Sequence, residues 1–285
     1  MTLNAIKLTK PQFWPLSILP ALAGLHIAAG FFPLFQTALV VLAAASLSAL
    51  VEIVNNWSDR VSDARQVIKK VAGVTVAGGS GMDVTAQPGF VFFVGLASVV
   101  IAGISSSLLG TNTFIVAVIG ATLAFCYSVP PVQLKCRGII GLLTIGGFRG
   151  CISLLIGFLA WPHAGNEWIV PALYISLLIT GTATIPHLLD YREDKASKIS
   201  TFPVAAGYQT AARIAGAFII TSTAFMLAAA ISGIAATNIL SIPVSVVSLL
   251  AGAALLDKRH NDPENVIRMV PLAFAAALGS PLVFL

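Results

Sequence analysis

Nine apolar runs divide this chain, each close to the roughly 20 residues that a helix needs to cross the hydrocarbon core of a bilayer. They lie near 12–32, 34–54, 88–108, 112–130, 139–161, 168–188, 210–233, 238–256 and 268–285. Turn-forming or polar breaks separate them: FFP after the first, LLGTN between the third and fourth, WPHAGNE after the fifth and SGIAATN after the seventh. Only 9% of the residues are charged and 57% are hydrophobic, where soluble domains average about 25% charged. The expectation is an all-α, multi-pass membrane bundle of nine transmembrane helices, forming one domain over residues 1–285. The opening MTLNAIKLTK carries no small-residue cleavage pattern, so the first apolar run is expected to be a span. Cys126, Cys136 and Cys151 are spaced neither as pairs nor as metal ligands, which argues against structural disulfides and a cysteine-based metal site.

Lys and Arg concentrate on one side, and the turns on the other carry almost no charge. Lys7 and Lys10 precede the first run, and Arg60, Arg65, Lys69 and Lys70 follow the second. Lys135 and Arg137 follow the fourth, Arg192, Lys195 and Lys198 the sixth, and Lys258 and Arg259 the eighth. Lys and Arg gather on the cytoplasmic side of membrane proteins. The N-terminus is therefore expected inside, with the loops around 55–86, 128–138, 190–209 and 257–267. On this reading the net charge of +5 is a topology signal, and nucleic acid is not a partner. The acids share the asymmetry: of eleven, only Glu167 falls in an outer turn. Acids do not set topology strongly, and balance with neighbouring bases does not account for their spacing.

That spacing is clearest in VEIVNNWSDRVSD, residues 51–63, at the inner end of the second run. Asn55, Asp59 and Asp63 are four residues apart, as are Asp190 and Asp194 in HLLDYREDKASK after the sixth. Residues at i and i+4 share one helix face, so each set makes a ladder of oxygens. Like charges so placed are mutually destabilising, and a cation between the ladders would relieve them. Hard oxygen donors suit Mg²⁺ or Ca²⁺, and Mg²⁺ is commonly held by one or two carboxylates together with phosphate oxygens. With Arg and Lys nearby for phosphate contacts, the pattern describes a site for a magnesium–diphosphate pair. The alternative for either ladder alone is a solvated helix end; a second ladder on the same membrane side weakens it.

These two motifs, NNWSDRVSD and DYRED, resemble the aspartate-rich motifs of the UbiA superfamily of intramembrane prenyltransferases. TKPQFWPLSILPALAG resembles that family's approach to its first span, and YSVPPVQLKCRG its loop after the fourth. The resemblance covers essentially the whole chain and implies nine spans with the N-terminus inside. It assigns Asn55, Asp59, Asp63, Asp190 and Asp194 to Mg²⁺, with the four aspartates catalytic through that metal. It makes Arg65, Lys69, Tyr127, Lys135, Arg137 and Lys198 candidates for contact with the diphosphate of a prenyl donor. Lys198 departs from the family, standing where a third acid or a glycine is common, whereas Thr201 matches the family's threonine. The loop after the first motif lacks the usual basic-Pro pair, and its GGSG resembles the menaquinone-type branch.

Further polar residues fall within or beside the spans. Arg149 in GGFRGC lies about ten residues into the fifth, where a charge is costly and usually functional. Glu52 stands one turn before Asn55 and Asn56, as a support for the motif or the acid facing Arg149. His187 is three residues before Asp190 and suits acceptor binding, proton handling or packing. Trp57, Phe125, Tyr127, Phe148 and Tyr191 are aromatic candidates for stabilising a carbocation, or plain packing groups. His26 and His163 read as structural, Arg213 and Arg268 as inner-edge anchors. The leading expectation is Mg²⁺-dependent transfer of a prenyl group from an isoprenoid diphosphate to an aromatic or lipid acceptor, with the bilayer holding the prenyl tail. A membrane terpene cyclase ionising the diphosphate without an acceptor is the runner-up. A non-catalytic binder or transporter is the third, disfavoured mildly by the lack of a detectable inverted repeat.

Overall fold

Backbone amides have no water to bond in hydrocarbon, so a crossing segment must satisfy them internally, and an apolar helix does so. The computed structural model describes residues 8–63, 69–71, 74–76, 88–162, 165–196, 199–257 and 266–285; of residues 59–63, the two short strands and Glu193, only the backbone is described. A 3₁₀ turn, Pro11–Phe13, leads into α1, Pro15–Ala29. There follow α2 (Leu34–Asp63), α3 (Pro88–Leu109), α4 (Thr111–Ser128), α5 (Ile139–Phe158) and α6 (Ile169–Leu189). Short helices Tyr191–Ala196 and Phe202–Ala206 connect to α7 (Tyr208–Ile231), which precedes α8 (Ser241–Leu256) and α9 (Val270–Leu282).

By length and composition, seven of the described helices, α1 to α7, can cross a membrane, while α8 and α9 are apolar but shorter. Each coincides in position with an expected run. Among the described residues the all-helical expectation has one exception: Lys69–Val71 pairs antiparallel with Val74–Val76, after α2. The GGSG stretch, Lys7, His163, Lys258 and Arg259 lie outside the described residues.

The packing core surrounds α6. Tyr174, Leu178, Ile179, Ile185 and Leu188 are buried against Ala211, Ala215 and Ile219 of α7, Leu255 of α8 and Ala273 and Ala276 of α9. A second cluster joins Ala43 and Leu47 of α2, Ala102 of α3, Val116 and Ala117 of α4, and Phe148 and Ile156 of α5. By contrast Phe92, Phe93, Ile104, Leu108, Ile115 and Ile119 on α3 and α4 are exposed, an apolar surface suited to lipid rather than water.

Between membrane helices there is no hydrophobic drive, and close backbone approach through small residues takes its place. Helices α1 and α5 meet this way: a Cβ on Gly157 would run into the carbonyl of Ala21, and one on Gly24 into the carbonyl of Leu154. Midway along α5, residues Gly147–Ile152 widen into a π-helical turn. The hydroxyl of Ser153 there donates to the carbonyl of Phe148, five residues back, at 3.1 Å. Such turns re-aim side chains and are frequent at functional sites; this one carries Arg149.

Helix α2 has 30 residues, or about 45 Å at 1.5 Å per residue, well beyond the ~30 Å of hydrocarbon. Its apolar stretch is Leu34–Ser58. Asp59 and Asp63 therefore ride on the overrun, one and two turns past Asn55 on a continuous helix. Gly157→Val should lower the thermal unfolding temperature of detergent-purified protein, because Ala21's carbonyl cannot yield to the added methyls; overpacking typically costs about 1–3 kcal/mol. Gly103→Ala, where an added Cβ meets nothing within 4 Å, should leave the melting curve unmoved.

Candidate active site

Two regions far apart in sequence come together around a cavity of about 450 Å³. Asn55 from α2 and Asp190 from the end of α6 both line it, as do Glu52, Tyr127, Arg149 and His187. The remaining wall is mostly apolar, with Phe13 and Leu16 from the start of the chain, Phe148 from α5, and Val270, Ala273, Phe274 and Ala277 from the last helix. The wall is thus largely apolar, with polar groups that include Asn55 and Asp190.

At the rim, the side-chain oxygen of Asn55 accepts hydrogen bonds from the Lys135 ammonium at 3.1 Å and the Ser128 hydroxyl at 3.3 Å. An amide oxygen has two lone pairs, so a metal binding Asn55 would displace or share with one of these donors. Ser58, one turn on, donates to the carbonyl of Ser128 at 2.6 Å, fastening α2 to the end of α4. The loop beyond contains a cis peptide between Pro130 and Pro131. Arg137 bends back on it, donating to the carbonyls of Val132 at 2.7 Å and Pro131 at 3.2 Å. Expected as a diphosphate contact, Arg137 is exposed and shapes the loop that presents Lys135.

The second motif differs from a plain helical ladder. Helix α6 ends at Leu189, and Asp190 is its C-cap residue, with φ −84° and ψ −1°. The backbone bond from Asp194 to the Asp190 carbonyl survives at 2.9 Å, but Asp194 belongs to the separate short helix Tyr191–Ala196. Its buried carboxylate accepts a hydrogen bond from Thr201 at 2.9 Å. Tyr191 packs edge-on against Tyr208 and lies beneath the Lys195 ammonium, 5.6 Å from its ring centre. The aromatic candidates divide: Tyr127 and Phe148 face the cavity, Trp57 packs into a cluster with Leu8 and Trp14, and Phe125 is 46% exposed.

Deeper along α2, Glu52 and Arg149 form a buried salt bridge of 2.7 Å. Arg149 also donates to the carbonyl of Phe13 at 2.9 Å and lies over that residue's ring. Lys10 approaches the other Glu52 oxygen at 3.5 Å. Asn56 turns away to donate to the carbonyl of Leu8 at 3.1 Å, so it anchors the N-terminal segment rather than lining the cavity. Lys10, Phe13 and Phe274 are cavity residues that sequence reasoning missed as such. Lys10 was counted only as a topology charge, although its position directly before Pro11 at the head of the first run was a usable signal.

Among the described residues no cluster of three His, Cys, Asp or Glu side chains could hold a metal. The side chains of Asp59, Asp63 and Lys69, and all of Arg65 and Lys198, lie outside the described residues. The motif donors that are described, Asn55, Asp190 and Asp194, are hard oxygens of the type Mg²⁺ takes, so the donor chemistry fits that ion.

Residues 17–278 match the UbiA prenyltransferase family. The chain is 26% identical over 214 residues to a chloroplastic chlorophyll synthase of Arabidopsis thaliana, covering 72% of this chain and 54% of that protein. It thus spans about half the length of the curated relatives it matches. In fold it is similar to an apo UbiA homologue from Aeropyrum pernix K1, with TM-score 0.72, 16% identity and 96% of each chain covered. It is also similar to a UbiA homologue from Archaeoglobus fulgidus bound to GPP and Mg²⁺, with TM-score 0.70, 14% identity and 99% of each chain covered.

Removing one partner of a buried ion pair strands the other, at a cost of about 3–5 kcal/mol. Glu52→Leu should therefore lower the melting temperature of the detergent-purified protein strongly. Glu52→Leu combined with Arg149→Leu should recover much of that loss; a double variant as unstable as the sum of the singles would show the pair is not coupled.

Proposed function

The chain belongs to the UbiA prenyltransferase family, and from that premise we propose that it transfers a prenyl group from an isoprenoid diphosphate to an aromatic or lipid acceptor within the membrane, using Mg²⁺. The observation that carries this reading is that Asn55 and Asp190, from two separate acidic motifs, line one cavity whose wall is otherwise largely apolar. The homologue bound to GPP and Mg²⁺ supports the donor class. In this reading the chain is one domain of nine spans with its N-terminus and both motifs on the cytoplasmic side, as the Lys and Arg distribution favours.

Asn55, Asp59, Asp63, Asp190 and Asp194 would hold the metal. Bound there, Mg²⁺ would draw off the negative charge that grows on the diphosphate as the C1–O bond breaks. In this reading Lys135, beside Asn55, would meet the diphosphate, joined by Tyr127 from the cavity wall and by Arg65, Lys69 and Lys198. Arg137 acts through the loop that it ties. The electron pair of the broken bond leaves with the diphosphate, the acceptor's nucleophile bonds to C1, and the acceptor's proton passes to the departing anion or to water. Tyr127, Phe148 and Phe274 keep water from the cationic carbon and turn aromatic surface towards it. His187, three residues before Asp190 on the cavity wall, would receive or orient the acceptor in this reading.

Incubating detergent-purified protein with Mg²⁺ and geranyl diphosphate, with and without phenolic or lipid acceptors, tests the reading. Diphosphate release only with an acceptor supports transfer. Release with a hydrocarbon product instead would establish a cyclase, and no release a binder. Asp59→Ala and Asp194→Ala should each cut turnover by roughly two to three orders of magnitude, the scale for losing one group that stabilises transition-state charge, while the protein still inserts and folds. For the topology, single cysteines at positions 70 and 258 in a variant lacking native cysteines should react with a membrane-impermeant maleimide only after the cells are opened. Labelling from outside would reverse the assignment.

A further inference from the structure

Asp194 is carried by an element too short to orient it alone. Helix α6 stops at Leu189 with Asp190 as its C-cap. Asp194 lies in Tyr191–Ala196, six residues long, well below the length at which a helix sustains itself. It is nonetheless buried, 7% exposed, and a buried carboxylate must be held by hydrogen bonds. Thr201, also buried, donates its hydroxyl to Oδ2 of Asp194 at 2.9 Å. That hydroxyl stands where another use is usual. Thr201 is the N-cap of Phe202–Ala206, and a threonine oxygen there commonly accepts from the second or third amide of the helix. Here no side-chain cap bond forms, and the second residue, Pro203, has no N–H to give.

The turn between the two residues does not need this bond either. Backbone amides close it: Ile199 donates to the Asp194 carbonyl at 2.8 Å, Thr201 to the Ile199 carbonyl at 3.0 Å and Ala205 to the Thr201 carbonyl at 2.9 Å. Phe202 and Pro203 are buried beside it, Phe202 in the core around α6. Backbone bonds and apolar packing thus set the position of Thr201, which leaves its hydroxyl to fix the rotation of the Asp194 carboxylate. A branched Cβ suits this task, because it has few rotamers to lose. We infer that Thr201 is a positioning residue for the metal: it holds Asp194 in one orientation, so that the second motif meets Mg²⁺ with this carboxylate already set. The inference rests on the transferase reading, in which Asp194 is a ligand. Groups that orient the ligands of a metal typically contribute about 10–100-fold to its affinity.

Mn²⁺, a paramagnetic stand-in for Mg²⁺, tests this without turnover. Full-length protein in detergent is titrated with Mn²⁺ in the presence of geranyl S-thiolodiphosphate, a slow-reacting donor analogue, and the free ion is read from its electron spin resonance signal. Thr201→Val should raise the Mn²⁺ dissociation constant about tenfold or more. Thr201→Ser should stay within about threefold of the unaltered protein, since the hydroxyl remains and only the stiffness of the branched side chain is lost. Asp194→Ala should weaken binding at least as much as Thr201→Val. Adding Thr201→Val to Asp194→Ala should weaken it no further, because the group through which Thr201 acts is gone. The double variant buries no carboxylate at this position, so it does not depend on Thr201→Val folding alone. Unchanged affinity in Thr201→Val, an equal loss in Thr201→Ser, or a further loss in the double variant would each overturn the inference while leaving Asp194 a ligand. Mn²⁺ that fails to bind the unaltered protein, or binds Asp194→Ala equally well, would instead defeat the metal reading itself, and the inference with it.

Discussion

The salt bridge between Glu52 and Arg149 is the interaction on which the cavity depends. Neither charge is tolerable alone among apolar helices, so each fixes the other, and their partners extend the constraint. Through Arg149 the π turn of α5 is joined to α2 and to the Phe13 carbonyl at the head of the first span. Asn56 adds a second tie from α2 to the same segment through the Leu8 carbonyl. The N-terminal stretch thereby becomes a wall of the cavity, bringing Lys10 and Phe13 into it. A regular α-helix would carry residues 147–152 with a different rotation; the wider turn sets the direction in which Arg149 points.

The position of the acidic motifs follows from the same cost of charge in hydrocarbon. Helix α2 continues past its apolar stretch, so Asp59 and Asp63 remain on a rigid element yet outside the run that hydrocarbon must cover. The second motif reaches the same end differently. Asp190 ends α6 and faces the cavity, while Asp194 sits in a separate short helix and is held by Thr201. The turn divides the roles of two carboxylates that spacing alone would treat as equivalent.

Much of this was legible because membrane helices are written in long apolar runs, and the described helices fall where those runs do. The pairing of Glu52 with Arg149 was legible as one of two options, since a charge deep in a span must find a partner. The exposure of Phe125 was not, because a helix apolar on all sides gives no periodic sign of which face meets lipid and which the cavity. The break at Asp190 was hidden for a related reason: four-residue spacing states only where residues would lie if the helix continued. Arg137's return to the carbonyls of Val132 and Pro131 in its own loop is local geometry that charge spacing does not encode. The short strand pair at Lys69–Val71 and Val74–Val76 is too brief for an alternating pattern to announce it.

On the proposed reading, the bonds of Asn55 show why an amide rather than an acid suits the first position of the motif. Its oxygen holds the Lys135 ammonium at 3.1 Å, and a carboxylate there would hold the same cation by a charge-assisted bond roughly twice as strong. Lys135 would then be fixed on the helix, and any ligand needing either group would first have to break a salt bridge. The amide keeps the lysine near the rim at lower cost and adds no negative charge to a ladder that already contains Asp59 and Asp63 one and two turns away. With α2 tied to the end of α4 by the Ser58 hydroxyl on the Ser128 carbonyl, the backbone need not move when Asn55 changes partners. On the proposed reading, a metal at Asn55 would compete with the two donors its oxygen now accepts from, the Lys135 ammonium and the Ser128 hydroxyl, with the exchange made by side chains alone.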